Sequence, residues 1–163
     1  MKASEYAMEM TQALGVEVLV AKTVKDAVSG SDIIVTATMS NEPLVRADWV
    51  SAGTHITAVG SDSPEKQELE TRVLGKSDKV VCDSVKQCAL LGELHHALED
   101  GTLSESDVHA ELGEILLGRK TGRQNDDEIT VCDLTGLAVQ DVVTSQLVYE
   151  RAVKRNIGSL IGV

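Results

Sequence analysis

A parallel, three-layer α/β fold is what this sequence predicts, and three observations carry it. Short apolar runs rich in Val, Ile and Thr alternate with stretches of helical periodicity. The runs are apolar on both faces, the pattern of strands covered by helices on either side of a parallel sheet. Four of them end on small or polar residues: Thr36 and Thr38, Gly60 to Ser63, Asp83 and Ser84, Thr135 and Gly136. Ligands of such sheets collect at the carboxyl ends of the strands, so these ends are expected to converge on one crevice.

Taken in order, "MKASEYAMEMTQALG" reads as an opening helix and "VEVLVA" (Val16 to Ala21) as a strand. Thr23 caps a short helix, with Asp26 three residues on and Gly30 ending it. "DIIVTAT" (Asp32 to Thr38) is a strand that breaks into a Ser-Asn-Glu-Pro turn. "THITAVG" (Thr54 to Gly60) is the next. After it Ser63 is placed as N-cap and Pro64 as first residue of a helix running through Leu69, Val73 and Leu74 to Gly75. "KVVCDS" is a strand, and "VKQCALLGELHHALEDG" has near-helical apolar spacing at Val85, Ala89, Leu91, Leu94 and Leu98. "SDVHAELGEILLGR" follows as a second helix, then a polar loop, "KTGRQNDD". "EITVCDLTG" is the last strand. "LAVQDVVTSQLVYERAVKRNIG" is a long final helix, with Lys154 and Arg155 in its last turn to complement the dipole.

Composition narrows the setting. The 163 residues suit one domain, and with no Phe, one Trp and two Tyr the core is built from Val, Leu, Ile, Ala and Met. A net charge of -11 repels phosphate backbones and anionic lipid, which argues against nucleic-acid and membrane partners. No apolar run approaches the ~20 residues of a membrane span, and the N-terminus lacks a signal-peptide core, so the chain reads as cytoplasmic. Cys82, Cys88 and Cys132 are odd in number and lack C-x-x-C spacing. They read as buried thiols of a reducing compartment, with no metal or disulfide framework. His95, His96 and His109 lack zinc-site spacing, and His55 reads as a packing residue. The acidic run Asp126-Asp127-Glu128 reads as a solvated loop before a strand.

No G-x-G-x-x-G follows any strand, and Gly113-x-x-x-x-Gly118 lies in a helical stretch without the Lys of a phosphate loop. A dinucleotide fold opens with strand, glycine loop, helix and an acidic second strand. This chain opens with a helix leading to what would be the third strand, and so looks like the second half of such a fold.

The segments "SGSDIIVTAT", "AGTHITAVGSDSPEKQELE", "GELHHALEDG", "AELGEILLGRKTGR", "NDDEITVCDLTGLAVQD" and "LVYERAVKRNIG" together resemble the ornithine cyclodeaminase and mu-crystallin family. The resemblance covers about residues 12 to 158. Its most specific element is the G-x-D-x-P-x-K-x-E-L pattern of Gly60, Asp62, Pro64, Lys66, Glu68 and Leu69. It implies a Rossmann-like domain binding NAD or NADP, here residues 1–140 as a partial domain. Residues 141–163 would form a C-terminal helix returning to a substrate and dimerisation domain. It further implies a small amino acid or imino acid as substrate and a homodimeric full-length parent.

The resemblance also implies roles by position. Asp62 is the general acid/base. Lys66 touches the cofactor, Thr57, Ala58 and Val59 lie on the nicotinamide side, and Thr38 faces the cofactor from its strand end. The family's D-S-x-G segment reads Asp133-Leu134-Thr135-Gly136 here, so Leu134 replaces the Ser and Thr135 is the candidate for its hydroxyl. The family's glycine loop and substrate-gripping basic residues lie upstream of this chain's start, so the chain alone is expected to be inactive. The implied reaction is hydride transfer, as in ornithine cyclisation to proline with loss of ammonia. The alternatives are imine or oxo-acid reduction, as in pyrroline-carboxylate reductase or alanine dehydrogenase, or a non-catalytic binding module.

Overall fold

The structure, a computed structural model, describes residues 2–159 and 161. Met1, and Leu160, Gly162 and Val163 at the tail of the expected C-terminal segment, lie outside the described residues. Strands β1 Ile33–Thr36, β2 His55–Ala58, β3 Lys79–Cys82, β4 Ala110–Glu111 and β5 Thr130–Asp133 form one sheet in the order β1-β2-β5-β3-β4. Every ladder is parallel. The helices are α1 Ala3–Leu14, α2 Val24–Val28, α3 Thr71–Gly75, α4 Val85–Leu91, α5 Glu93–Glu99, α6 Leu112–Leu116 and α7 Ala138–Arg155.

Alternation along β1 and β2 sends Ile34, Thr36, Ile56 and Ala58 to one face. There they meet Val80 and Val131 from the middle of the sheet, Val28 of α2, Val73 and Leu74 of α3 and Ala97 of α5. The β3 and β5 strands are buried at every position, as expected where both faces and both edges are covered. On the other face Ile33 and Val35 of the edge strand β1 remain 69% and 64% exposed. An edge strand with an apolar open face is a template for pairing with another chain. The chain is therefore expected to associate at tens of micromolar in light scattering. Val35→Lys should shift it toward monomer, and a monomeric wild-type chain would contradict this.

Helix α7 carries its Lys154 and Arg155 in the last turn, as expected, but ends at Asn156 in the left-handed region (φ 53°) rather than at Gly158. None of its residues is buried. Thr23 caps α2, its Oγ1 accepting from the Asp26 N–H at 3.1 Å.

Four sequence expectations are corrected. Val16 to Ala21 enters no ladder, and Leu19 is 77% exposed; a β-rich segment is not a strand without a neighbour to accept its backbone bonds. The helix capped by Ser63 is absent. Pro64 follows Ser63 in a turn closed by the Lys66 N–H donating to the Ser63 carbonyl (3.1 Å), because its fixed φ suits a turn as well as a helix start. Residues 67–70 then pair with the 40–45 loop, and helix starts only at Thr71. The single helix from Val85 breaks at Gly92 into α4 and α5, where the Asp133 carboxyl accepts from the Leu94 N–H at the start of α5, an approach that a Cβ at position 92 would block. The helix expected from Ser106 is instead a 3-10 turn (Glu105–Asp107), β4 and the short α6. The free edge of β3 captures this segment: His109 N–H donates to the Val80 carbonyl at 2.8 Å.

Candidate functional site

Parallel pairing brings the carboxyl ends of β1, β2, β5 and β3 side by side. Beyond Ala58 the chain runs through Gly60 and a buried Ser61 to Asp62. The Asp62 side chain is 54% exposed and ion-paired with Lys66 at 2.5 Å, four residues on. The hydrogen bond from Lys66 holds the Asp62 carboxyl below the usual carboxylate range. The turn is fixed from beneath: Ser61 Oγ donates to the Lys66 carbonyl at 2.5 Å, and His96 Nε2 lies 2.7 Å from that same oxygen. His95 and His96 are both half-buried.

Glu68, fully buried, joins the strand ends. Its Oε1 accepts from the Thr38 N–H (2.5 Å) and its Oε2 from the Gly60 N–H (2.9 Å). Gly60 is required by this close approach: a Cβ there would lie 2.5 Å from the Thr38 carbonyl oxygen and from the Glu68 carboxyl. Glu93 in turn holds Glu68, its carboxyl oxygens accepting from the Glu68 and Leu69 N–H groups at 2.8 and 3.0 Å. On the neighbouring strands, Asp83 Oδ2 accepts from the Thr135 and Gly136 N–H groups (3.0 and 2.8 Å). Asp133 Oδ2 accepts from the Leu94 N–H at 2.9 Å.

Among the sequence-predicted residues the structure thus brings Asp62 and Lys66 together. Thr38 stands exposed at the tip of the first strand, its Oγ1 accepting from the Ser40 N–H. Val59 is 37% exposed beside Gly60. The Thr57 hydroxyl lies on the opposite face of β2, 3.1 Å from His55 Nε2, and the Ala58 methyl is buried in the core. Thr135 Oγ1 donates to Asp83 Oδ1 (3.2 Å) and accepts from the Gln87 side chain (3.0 Å). Sequence reasoning missed the supporting roles of Glu68, Glu93, Asp83 and Asp133. One signal pointed to two of them: the tripeptide Val-Cys-Asp recurs at 81–83 and 131–133.

Burial pushes Glu93 up to about 8, outweighing its two backbone hydrogen bonds, and pushes Asp133 up to about 6. Groups raised on folding stabilise fully at low pH, and that stability is lost as pH rises through about 6 and then about 8. Glu128, held below its ordinary range by Lys79, acts oppositely: its contribution is lost as pH falls through its depressed value. The unfolding free energy from urea titration is therefore expected to be highest in mildly acid solution and to decline by on the order of a few kcal/mol toward pH ~8.5. Glu93→Gln should flatten most of that decline; an unchanged slope would exclude Glu93 as its source.

Residues 1–156 match the model of the ornithine cyclodeaminase/mu-crystallin family. The alanine dehydrogenase of Archaeoglobus fulgidus is 47% identical over 133 residues, 82% of this chain and 41% of that protein. An archaeal alanine dehydrogenase dimer with bound NAD superposes with a TM-score of 0.90 at 41% identity, over 98% of this chain and 49% of that one. The Delta(1)-pyrroline-2-carboxylate reductase of Thermococcus litoralis, in complex with NADH and L-proline, gives 0.92 at 36% identity over the same shares. The chain spans about half the length of these relatives. No helix among the described residues is long and apolar enough to cross a membrane. With the parallel sheet, the G-x-D-x-P-x-K-x-E-L turn and the match over residues 1–156, the chain belongs to the ornithine cyclodeaminase/mu-crystallin family.

Proposed function

We propose that this chain is the nicotinamide-binding half of a cytoplasmic, homodimeric enzyme that interconverts a small amino acid and its imine, with Asp62 moving the proton at the substrate nitrogen. The observation that carries it is the Asp62–Lys66 pair on the turn that leaves β2, where the strand ends converge. The likeness to an alanine dehydrogenase and a pyrroline-carboxylate reductase supports a reductive reading, and a likeness to cyclodeaminases supports the redox-neutral one.

The strand ends fit a nicotinamide group. At the strand ends Val59 and Thr38 offer an apolar and a polar surface. Thr38, Val59, Lys66 and Thr135 would hold the cofactor, NAD or NADP, with Thr57 and Ala58 forming the strand behind them. No G-x-G-x-x-G motif occurs in the 163 residues. When bound, the nicotinamide supplies hydride-accepting and hydride-donating capacity at the substrate carbon. Asp62, kept ionised by Lys66, takes a proton from the substrate ammonium as the imine forms and returns it in the reverse direction. The Glu68 bridge fixes the backbone on which Asp62 sits.

The test is a fluorescence titration of NADH, with a parallel assay of NADH consumption. The chain alone is expected to show no saturable binding below the millimolar range and no turnover. A longer protein carrying this segment and a complete cofactor domain should consume NADH with a pyrroline carboxylate, or with an oxo acid plus ammonia. Redox-neutral ammonia release from ornithine would select the cyclodeaminase reading. Failure of the longer protein to bind any nicotinamide nucleotide would overturn both.

A further inference from the structure

We propose that Cys82, Cys88 and Asp133 form a buried binding site for a thiophilic divalent cation of the Zn2+ type, at the ends of β3 and β5 and bordering Thr135. The two Val-Cys-Asp tripeptides end the neighbouring strands β3 and β5 one residue out of step, so that Cys82 lies opposite Asp133 in the ladder. Alternation puts both on the core face, with Val80 and Val131. Cys88, on α4, closes the set from above. One oxygen of Asp133 and the two sulfurs all lie within 4.8 Å of one another. Around a tetrahedral zinc ion, with Zn–S of about 2.3 Å and Zn–O of about 2.0–2.2 Å, such donors stand roughly 3.3–3.8 Å apart. Cation binding therefore draws the three groups toward these separations.

A second, independent observation points to a ligand. Asp133 is fully buried, yet its Oδ1 has no hydrogen-bond partner among the described residues. Buried carboxyl oxygens are otherwise partnered, and a cation between the sulfurs would supply what this oxygen lacks. The remaining oxygen, Oδ2, is held by the Leu94 N–H, which fixes the orientation of the carboxyl. In the metal-free chain the Cys88 thiol donates to Asp83 Oδ1 at 3.3 Å, a bond that cation binding replaces with a sulfur–metal bond. Two thiolates and one carboxylate are the donor types that favour Zn2+ over Mg2+ or Ca2+. Binding expels the two thiol protons to solvent, leaves every oxidation state unchanged, and ties α4 to β3 and β5.

His95, His96 and Glu99 form the competing set, nearer the surface, and His96 Nε2 is already engaged by the Lys66 carbonyl. The experiment is a Co2+ titration of the reduced chain followed by displacement with Zn2+. A saturating thiolate-to-cobalt charge-transfer band at one ion per chain, with the intensity of two sulfurs, is expected. Cys88→Ser should abolish the two-sulfur band, and His95→Ala with His96→Ala should leave it intact. Zn2+ should raise the melting midpoint of the wild-type chain. A band from one sulfur or none, or binding lost with the histidines and kept with Cys88→Ser, would overturn the site. The sulfur count is read on wild-type protein, so it decides even if Cys88→Ser does not fold.

Discussion

Asp62→Asn, in a protein carrying this segment with a complete cofactor domain, is expected to lower kcat by about 10²–10⁴-fold while NADH binding stays within about twofold. The substitution keeps the size of the side chain and its place on the turn, and an amide oxygen can still accept from Lys66. What it loses is the capacity to take a proton from an ammonium group. The exposed position of the carboxyl suits that role, since more than half of its surface is open to a substrate. Steady-state kinetics with a parallel NADH titration separates the outcomes. Retained turnover would remove Asp62 from the chemistry, and loss of both binding and turnover would mark it as a residue of the cofactor site.

Glu68→Ala is expected to be the most destabilising single change near the strand ends, by about 2–4 kcal/mol in urea unfolding. It leaves the buried Gly60 N–H without an acceptor, removes the acceptor of the Thr38 N–H, and opens a cavity where the carboxyl was. The same change frees the turn that carries Asp62, so the longer protein should lose kcat as well. Glu68→Gln keeps one acceptor oxygen but sets its NH2 against a backbone N–H, and should fall between wild type and Glu68→Ala. A Glu68→Ala chain within about 0.5 kcal/mol of wild type would show that water replaces the bridge at little cost.

How much was legible in the sequence is clearest element by element. The strands at Ile33, His55, Lys79 and Thr130 lie inside runs whose β-branched, two-faced hydrophobicity is local information. Thr23 and Lys154 with Arg155 are likewise local signals, and the structure uses both. The short segments decided by partners were misjudged. Pro64 fits a helix start and a turn equally well, and the pairing of 67–70 with the 40–45 loop decides between them. Gly92 breaks a helix because of a carboxyl that is 41 residues away in the sequence, on Asp133.

The site divides the same way. Asp62 and Lys66 were readable because four residues separate them and one turn joins them. The bridge from Glu68 to Thr38 spans 30 residues, and that from Glu93 to Leu69 spans 24, so no local pattern encodes either. By itself, then, the sequence determined the parallel α/β class, the family and the turn bearing Asp62, because periodicity and short motifs are properties of adjacent residues. Only the tertiary structure decided which carboxyl groups are buried, which backbone groups they hold, and that donor atoms of Cys82, Cys88 and Asp133 lie within 4.8 Å of one another. Those facts follow from strand order and register, which bring distant residues into contact.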